Sequence, residues 1–198
     1  MKLEKEFYTR TDTIKIAKEL LGKKLVSNFG GNITSGIICE TEAYCGTKDR
    51  GCHAYNGRFT DRTKIMYAVG GVVYVYLCYG VHYLFNVITH IEGEPHAVLI
   101  RAIAVQDGLQ TILKRRNKTS PDAGLGAGPG LVSACLGFTT KHTGLSLSGN
   151  KVWIEDAERI PEKNIIKSAR VGMTFEGKYK RIPWRFRIKG SQFTSPAK

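Results

Sequence analysis

Residues 72–89, VVYVYLCYGVHYLFNVIT, hold two runs of aliphatic and aromatic residues joined by the tripeptide Tyr79-Gly80-Val81. Two such runs separated by a few residues that include glycine predict a β-hairpin. The hairpin would carry Tyr79 at its tip, where a side chain is normally exposed. A tyrosine ring has an apolar body that favours burial, so two interpretations arise. Either the ring lies back on the domain, or it forms a wedge that enters a partner.

Length and composition predict one domain over residues 1–198 with a substantial core, since 42% of the residues are hydrophobic. No apolar run reaches the roughly 18 residues of a membrane span, and the first residues, MKLEKE, lack the apolar segment of a signal peptide. We therefore expect a soluble protein that is not secreted and has no membrane association. The five cysteines form no CxxC pair, which indicates reduced thiols.

The charge balance is strongly basic. Thirty Lys and Arg residues against seventeen Asp and Glu residues give a net charge of +13. A field of this sign attracts polyanions, either nucleic acid or an anionic membrane surface, and does not discriminate between them.

Two acidic residues stand in a predicted strand, residues 36–44, GIICETEAY. Alternation puts Glu40 and Glu42 on one face, about 6.5–7 Å apart along the backbone. Carboxylates at such a separation leave room for a water molecule, as in inverting glycoside hydrolysis. The alternative is a solvated strand face that happens to carry two acids.

A glycine-rich loop follows, and it contains His53 beside Cys52. The spacing of this histidine from Cys39, Cys45 and Cys52 matches no standard zinc pattern, so we predict no metal site. A histidine in such a loop is more typically a hydrogen-bonded surface or pocket residue.

Two polar residues stand inside apolar strands. Arg101 lies within the apolar run at residues 96–104, and Asn86 lies between Phe85 and Val87. A buried guanidinium requires a carboxylate or phosphate partner, and a buried amide requires hydrogen bonds. We therefore expect both side chains to have specific polar partners.

Helices are predicted at four places. Asp12 and Asp107 each precede a helical pattern as candidate N-caps, Pro129 falls in the first turn of a short helix, and Pro161 opens another that ends near residue 169.

The basic C-terminal region contains the alternating segment WRFRIK, residues 184–189. This alternation predicts a strand whose aromatic and aliphatic side chains are buried. Its opposite face would then be a cationic surface made of Arg185, Arg187 and Lys189.

Taken together, these motifs resemble the alkyladenine (3-methyladenine) DNA glycosylase family over residues 16–191. The motifs that carry the resemblance are, in order, ETEAY (40–44), His53, VYVYLCYG (73–80) with Phe85-Asn86, LIRA (99–102), GPG (128–130) and SARVG (168–172). The resemblance implies a single α+β domain with a curved, mostly antiparallel β-sheet, surrounding helices and a protruding tyrosine-tipped hairpin.

The resemblance also implies a function. Such a protein would be a monofunctional DNA glycosylase that flips alkylated or deaminated purines out of duplex DNA. It would hydrolyse the N-glycosidic bond with a glutamate-activated water and so initiate base excision repair. It would need no cofactor, act as a monomer on double-stranded DNA containing alkylated purines, and reside in the cytoplasm, on a bacterial nucleoid or in a nucleus.

Catalytic roles follow from the resemblance residue by residue. Glu42 matches the general base, Arg101 matches the arginine that helps to hold the water, and the main chain at Val171 is a further ligand of that water. Glu40 is the rival candidate for the base; under the resemblance it is structural or supports Glu42.

Pocket roles follow in the same way. Tyr44 and Tyr76 match the rings that stack on the extruded base, and His53 bounds the pocket beside Tyr44. Asn86 matches the side chain that disfavours the guanine amino group, and Tyr79 matches the wedge that fills the gap in the DNA.

Five arginines are candidates for contacts to the DNA backbone: Arg58, Arg62, Arg170, Arg185 and Arg187. Two other functions remain open at this point. One is a nucleic-acid-binding module without catalysis, in which Glu42 is incidental. The other is a hydrolase of a different formyl- or glycosyl-type substrate on a similar sheet.

Overall fold

An antiparallel sheet of eight strands forms the centre of the protein in a computed structural model that describes residues 1–196. The strands are β1 (Lys24–Phe29), β2 (Asn32–Cys45), β3 (Val73–Cys78), β4 (His82–Thr89), β5 (His96–Val105), β6 (Val152–Glu155), β7 (Ile165–Ser168) and β8 (Arg185–Ile188). Six follow the order β3-β4-β5-β2-β1-β6, while β8 pairs with β2 and β7. With the helices described below, this is an α+β fold, as the sequence predicted.

Strand β2 occupies the middle of the sheet. Strand β5 pairs with β2 along one edge. On its other edge, β1 pairs with the first half of β2 and β8 pairs with residues 40–42. Glu40, Thr41 and Glu42 therefore lie between two strands, and each is 0% exposed.

The pairing of β2 with β5 is irregular near these acids. Ile38 pairs with Ile103, Glu40 with Ala102 and Thr41 with Ile100, so the register shifts twice within a few residues. The two shifts compensate each other, because β2 first has the extra residue, Cys39, and β5 then has the extra residue, Arg101. Such irregularities re-aim side chains locally, and here Arg101 contacts both Glu40 and Glu42.

Helices pack against the sheet and supply much of the core. In the described part of the chain they are α1 (Lys5–Thr9), α2 (Thr13–Glu19), α3 (Leu109–Arg116), α4 (Pro129–Leu136) and α5 (Lys178–Arg181). Buried residues of α2 and α4 join those of β2, β4 and β5 in one hydrophobic cluster. Residues 1–196 contain no helix that is both long enough and apolar enough to span a bilayer.

Two of the four helix starts are confirmed. Asp12 caps α2, because its carboxylate accepts the Lys15 N–H at 2.8 Å. Pro129 stands in the first turn of α4, where its missing N–H costs no hydrogen bond.

The other two helix predictions are wrong in part. Asp107 does not cap α3; its carboxylate instead accepts the Ser35 hydroxyl at 2.6 Å and pairs with Lys24 at 2.8 Å. After Pro161 only a short 3₁₀ turn forms, over Glu162–Asn164, and strand β7 replaces the rest of the predicted helix. In both places, contacts with residues distant in the chain determine the structure instead of the local sequence pattern.

Strands β3 and β4 form an antiparallel pair with Cys78 opposite His82. The connecting residues Tyr79 and Gly80 have φ values of 51° and 71°, the left-handed geometry of a type I′ turn. A left-handed tyrosine is uncommon, because its Cβ crowds the backbone. The Tyr79 side chain is 89% exposed.

The outward orientation predicted for Arg185 is wrong. The Arg185 side chain is 1% exposed, like the neighbouring Phe186, because β8 is covered on both faces where it pairs with β2. Its Nε atom donates to Glu40 Oε1 at 2.7 Å. Arg187 is half-buried, so the segment does not form the continuous cationic surface that its alternation indicated.

His96 begins β5 in a confined environment. Its ring stacks on His90 with 4.4 Å between ring centroids, and its Nδ1 atom lies 3.0 Å from the Thr13 hydroxyl. Burial, and then the like charge of His90, lower the pKa of His96 from 6.5 to about 4. The native protein therefore does not bind a proton that the unfolded chain binds between about pH 6.5 and about pH 4.

Replacing His96 with Asn should reduce the loss of stability on acidification. Within that pH window a neutral buried histidine makes the free energy of unfolding fall by about 1.4 kcal/mol per pH unit as the pH decreases. Denaturant unfolding at several pH values measures this slope. A Thr13→Val control, which keeps the imidazole, should retain it, and an equal slope in His96→Asn and the unaltered protein would contradict the assignment.

Candidate active site

A cavity of about 510 Å³ opens beside strands β3, β4 and β5. Eight of the predicted site residues line it: Tyr44, His53, Arg62, Tyr76, Tyr79, Asn86, Arg101 and Val171. Several lining residues were not predicted from the sequence, among them Arg50, Met66, Tyr74, Met173 and Phe175. Tyr74 could have been found, because it shares a strand face with Tyr76. Met173 and Phe175 lie in a segment without periodicity and gave no signal.

The carboxylate of Glu42 lies directly behind the wall of this cavity. Its Oε1 atom accepts the Val171 N–H at 2.8 Å and lies 3.4 Å from Arg101 Nη1. Its Oε2 atom accepts the Tyr44 hydroxyl at 2.8 Å. All three partners line the cavity, whereas Glu42 itself is 0% exposed and is not among the lining residues.

Glu40 has a different environment. Its Oε1 atom accepts Arg101 Nε at 2.8 Å and Arg185 Nε at 2.7 Å, and its Oε2 atom accepts the Ser195 N–H at 2.6 Å. Burial would raise the pKa of this carboxyl, but Arg101, Ser195 and Arg185 together hold it below its usual value. Since Glu40 is enclosed by these donors, it is poorly placed to exchange a proton with a ligand.

The Tyr44 ring is fixed from behind by Arg170. The Arg170 guanidinium lies 4.7 Å from the centre of that ring and forms a buried pair with Asp49 at 2.6 and 2.7 Å. Arg170 is only 4% exposed, so it is not at the surface where a phosphate contact would be made. Burial, and then the charge of Glu42, raise the pKa of Tyr44, so its hydroxyl remains a donor to Glu42 at neutral pH.

His53 stands edge-on to the Tyr76 ring, with 4.6 Å between ring centroids. Its Nδ1 atom lies 2.9 Å from the Tyr74 hydroxyl, and its Nε2 atom lies 3.5 Å from Arg62 Nη2. A guanidinium can only donate, so this arrangement favours the Nδ1-protonated tautomer. Burial, then the charges of Arg62 and Arg58, lower the pKa of His53 to about 4, so the ring is neutral at pH 7.

Asn86 is buried, and its amide nitrogen is fully used. The Nδ2 atom donates to the main-chain carbonyls of Tyr74 and Leu84, both at 3.2 Å. The sequence predicted that this amide needs partners, and the two carbonyls fix its orientation at the cavity wall.

The predicted DNA-contacting arginines divide into two groups. Arg58 and Arg62 are exposed, and Arg62 lines the cavity. Arg170 and Arg185 are buried in ion pairs, and Arg187 is half-buried. Close to Arg58, the ring of Phe59 is 66% exposed and packs edge-on against Tyr67.

Residues 1–196 contain no cluster of three or more His, Cys, Asp or Glu side chains arranged to hold a metal ion. Cys52, beside His53, is buried, and burial raises the pKa of its thiol to about 12.

Known proteins resemble the chain over almost its whole length. A family model described as methylpurine-DNA glycosylase (MPG) matches residues 6–192. Relatives from Chlamydia felis, Natranaerobius thermophilus and Bacillus cereus each bear the name "Putative 3-methyladenine DNA glycosylase". The first is 44% identical over 93% of this chain and 94% of its own. The second is 41% identical over 98% of this chain and 99% of its own. The third is 42% identical over 93% of this chain and 94% of its own. The chain belongs to the methylpurine-DNA glycosylase family.

Proposed function

We propose that this protein is a monofunctional DNA glycosylase that flips alkylated or deaminated purines out of duplex DNA and hydrolyses their N-glycosidic bond with a water activated by Glu42. One observation carries the proposal: the Glu42 carboxylate is held by Val171, Tyr44 and Arg101, all of which line an aromatic cavity. Family membership supports the reaction class, a hydrolysis of N-glycosyl bonds.

The cavity has the composition that an extruded purine requires. An enzyme that acts on a base inside a duplex must remove it from the stack, which costs a few kcal/mol. Tyr44 and Tyr76 line the cavity, and stacking on an aromatic ring is worth about 1–3 kcal/mol per base. Two rings can therefore offset the cost of extrusion.

Glu42 has the capacity to accept a proton from water. A carboxylate offers about four lone-pair sites. The hydrogen bonds that Glu42 accepts from described residues occupy two of them, one on each oxygen, and Arg101 Nη1 lies 3.4 Å from Oε1 as an ion pair. A water hydrogen-bonded to Oε2 would attack C1′ as the bond to the base breaks, and the base would leave with the bonding electrons. The proton of the water would pass to Glu42. General-base assistance of this kind contributes about 10²–10⁴ in rate.

The carboxylate also acts through its charge. N-glycosidic cleavage proceeds through an oxocarbenium-like sugar, whose positive charge a nearby carboxylate stabilises. A purine alkylated at N3 or N7 already carries positive charge and leaves as a neutral base, so no acid has to protonate it. A deaminated purine is neutral and leaves as an anion, which takes up a proton from the solvent. The positive charge of Arg101 near the sugar is offset by its buried pair with Glu40.

The residues that line the cavity would also select among purine bases. His53 is neutral at pH 7, so it does not repel a cationic base, and tyrosine faces attract flat cations. The Asn86 side chain is fixed by two main-chain carbonyls, so it cannot turn away from a bound base. We propose that it disfavours guanine by opposing the exocyclic amino group of that base. A normal purine is neutral and firmly paired, so it gains less from the cavity and costs more to extrude.

Tyr79 is suited to fill the gap that the extruded base leaves. Its ring is 89% exposed at the turn between β3 and β4 and also borders the cavity. Strained backbone conformations of this kind persist mainly where function requires them. Arg58 and Arg62, both exposed near the cavity, are the arginines that we propose as phosphate contacts, in keeping with the net charge of +13.

Replacing Glu42 with Gln should abolish base release without abolishing binding. The substitution keeps the size of the side chain but removes the charge and the basic oxygen, so single-turnover release from methylated duplex DNA should fall by at least about 100-fold. Affinity for the same DNA should be unchanged. Chromatography of the released bases and a binding titration measure the two quantities.

A Glu155→Gln variant is the matched control, because Glu155 is a glutamate on β6, bonded to Trp153, outside the cavity wall. It should release bases at the rate of the unaltered protein. Normal release by Glu42→Gln would remove Glu42 from the mechanism. No release by the unaltered protein would leave a DNA-binding module without catalysis.

Replacing Tyr79 with Ala should weaken the affinity for a lesion-containing duplex by about 1–3 kcal/mol, the scale of one base–aromatic stack. Tyr79→Phe keeps the ring and should bind like the unaltered protein. Fluorescence anisotropy with a labelled duplex measures both. Equal affinity of Tyr79→Ala and Tyr79→Phe would show that the exposed ring does not enter DNA.

A further inference from the structure

The C-terminal segment returns to the buried acids in the middle of the sheet. Ser195 is 6% exposed, and its N–H donates to Glu40 Oε2 at 2.6 Å while its hydroxyl donates to Glu40 Oε1 at 2.9 Å. These two residues are 155 positions apart in the chain. Ser195 also lies beyond residue 192, where the match to the family model ends.

The Ser195 hydroxyl occupies the centre of a charged cluster. Its oxygen lies 3.4 Å from Arg101 Nη2 and 3.3 Å from Arg185 Nη2, so it accepts from both guanidinium groups while donating to Glu40. Among the described contacts, Glu40 Oε2 receives only the Ser195 N–H, whereas Oε1 receives three donors. Ser195 therefore completes the hydrogen bonding of a carboxylate that has no access to water.

This cluster controls the orientation of Arg101. A guanidinium is planar and its donors have a fixed geometry. Arg101 Nε is bonded to Glu40 and Nη2 to Ser195, and these two contacts fix the plane of the group. The third nitrogen, Nη1, then lies 3.4 Å from Glu42 Oε1.

We propose that Ser195 is a positioning residue for catalysis, which holds Glu40 and Arg101 so that Arg101 Nη1 stays beside the Glu42 carboxylate. The inference rests on the proposed role of Glu42. Without the Ser195 hydroxyl, Arg101 loses one of the two contacts that fix its plane, and its distance to Glu42 is no longer held. Ser195 itself is not among the residues that line the cavity.

A Ser195→Ala variant tests the proposal, because it removes the hydroxyl and keeps the backbone N–H. We expect the single-turnover rate of base release from methylated duplex DNA to fall about tenfold, since small displacements of catalytic groups have effects of this size or larger. DNA affinity should not change.

Two variants serve as controls. Ser195→Thr keeps the hydroxyl and should recover the rate. Ser191→Ala makes the same substitution in the same segment but outside the cluster around Glu40, where the Ser191 hydroxyl accepts the Phe193 N–H at 3.2 Å, and it should retain full activity. An unchanged rate in Ser195→Ala would overturn the proposal. So would an equal loss of rate and DNA affinity, which would mean that Ser195 is a purely structural tether.

Amide hydrogen exchange on the unaltered protein gives a second measurement that does not depend on a variant folding. The Ser195 N–H should exchange far more slowly than an unstructured chain terminus, because it is bonded to a buried carboxylate. Fast exchange would overturn the proposal. If the unaltered protein releases no base, the proposed function itself is wrong. If Ser195→Ala releases bases at the normal rate, only the role of Ser195 is wrong.

Discussion

A single guanidinium, that of Arg101, lies between two buried carboxylates in the middle of the sheet. It contacts Glu40 Oε1 at 2.8 Å and Glu42 Oε1 at 3.4 Å. Two carboxylates buried this close together would be costly without compensating positive charge. Arg101 supplies that charge only because β5 carries one extra residue opposite β2 at this point. The irregular pairing of these two strands therefore accompanies the placement of a positive charge beside the glutamate behind the cavity wall.

The rest of the site is arranged around that constraint. Glu40 is enclosed by donors from β5, β8 and the C-terminal segment, so it balances charge, while Glu42 faces the groups that line the cavity. Arg170 and Asp49 form a second buried pair that supports the Tyr44 ring. Buried arginines thus stabilise the acids and the aromatic wall, whereas Arg58, one of the arginines that we propose as a phosphate contact, is exposed.

Sequence patterns predicted the local features and missed those that depend on distant partners. The hairpin, the acidic strand and the need of Arg101 and Asn86 for polar partners follow from runs and alternation within a few residues. Alternation predicts two faces of a strand but not which face meets solvent, and Arg185 was assigned wrongly because β8 is covered on both sides. The contact between Glu40 and Ser195 joins residues 155 positions apart, a distance that no local pattern describes.

The position of the Glu42 carboxylate, rather than its charge alone, is the central claim, and Glu42→Asp tests it most directly. Aspartate keeps the charge but is one methylene shorter, so the carboxylate withdraws from Val171 and Tyr44. Single-turnover release of methylated purines should fall by up to about 100-fold, the effect of a displacement near 1 Å, and should stay above that of Glu42→Gln. Release at the rate of the unaltered protein would contradict the account.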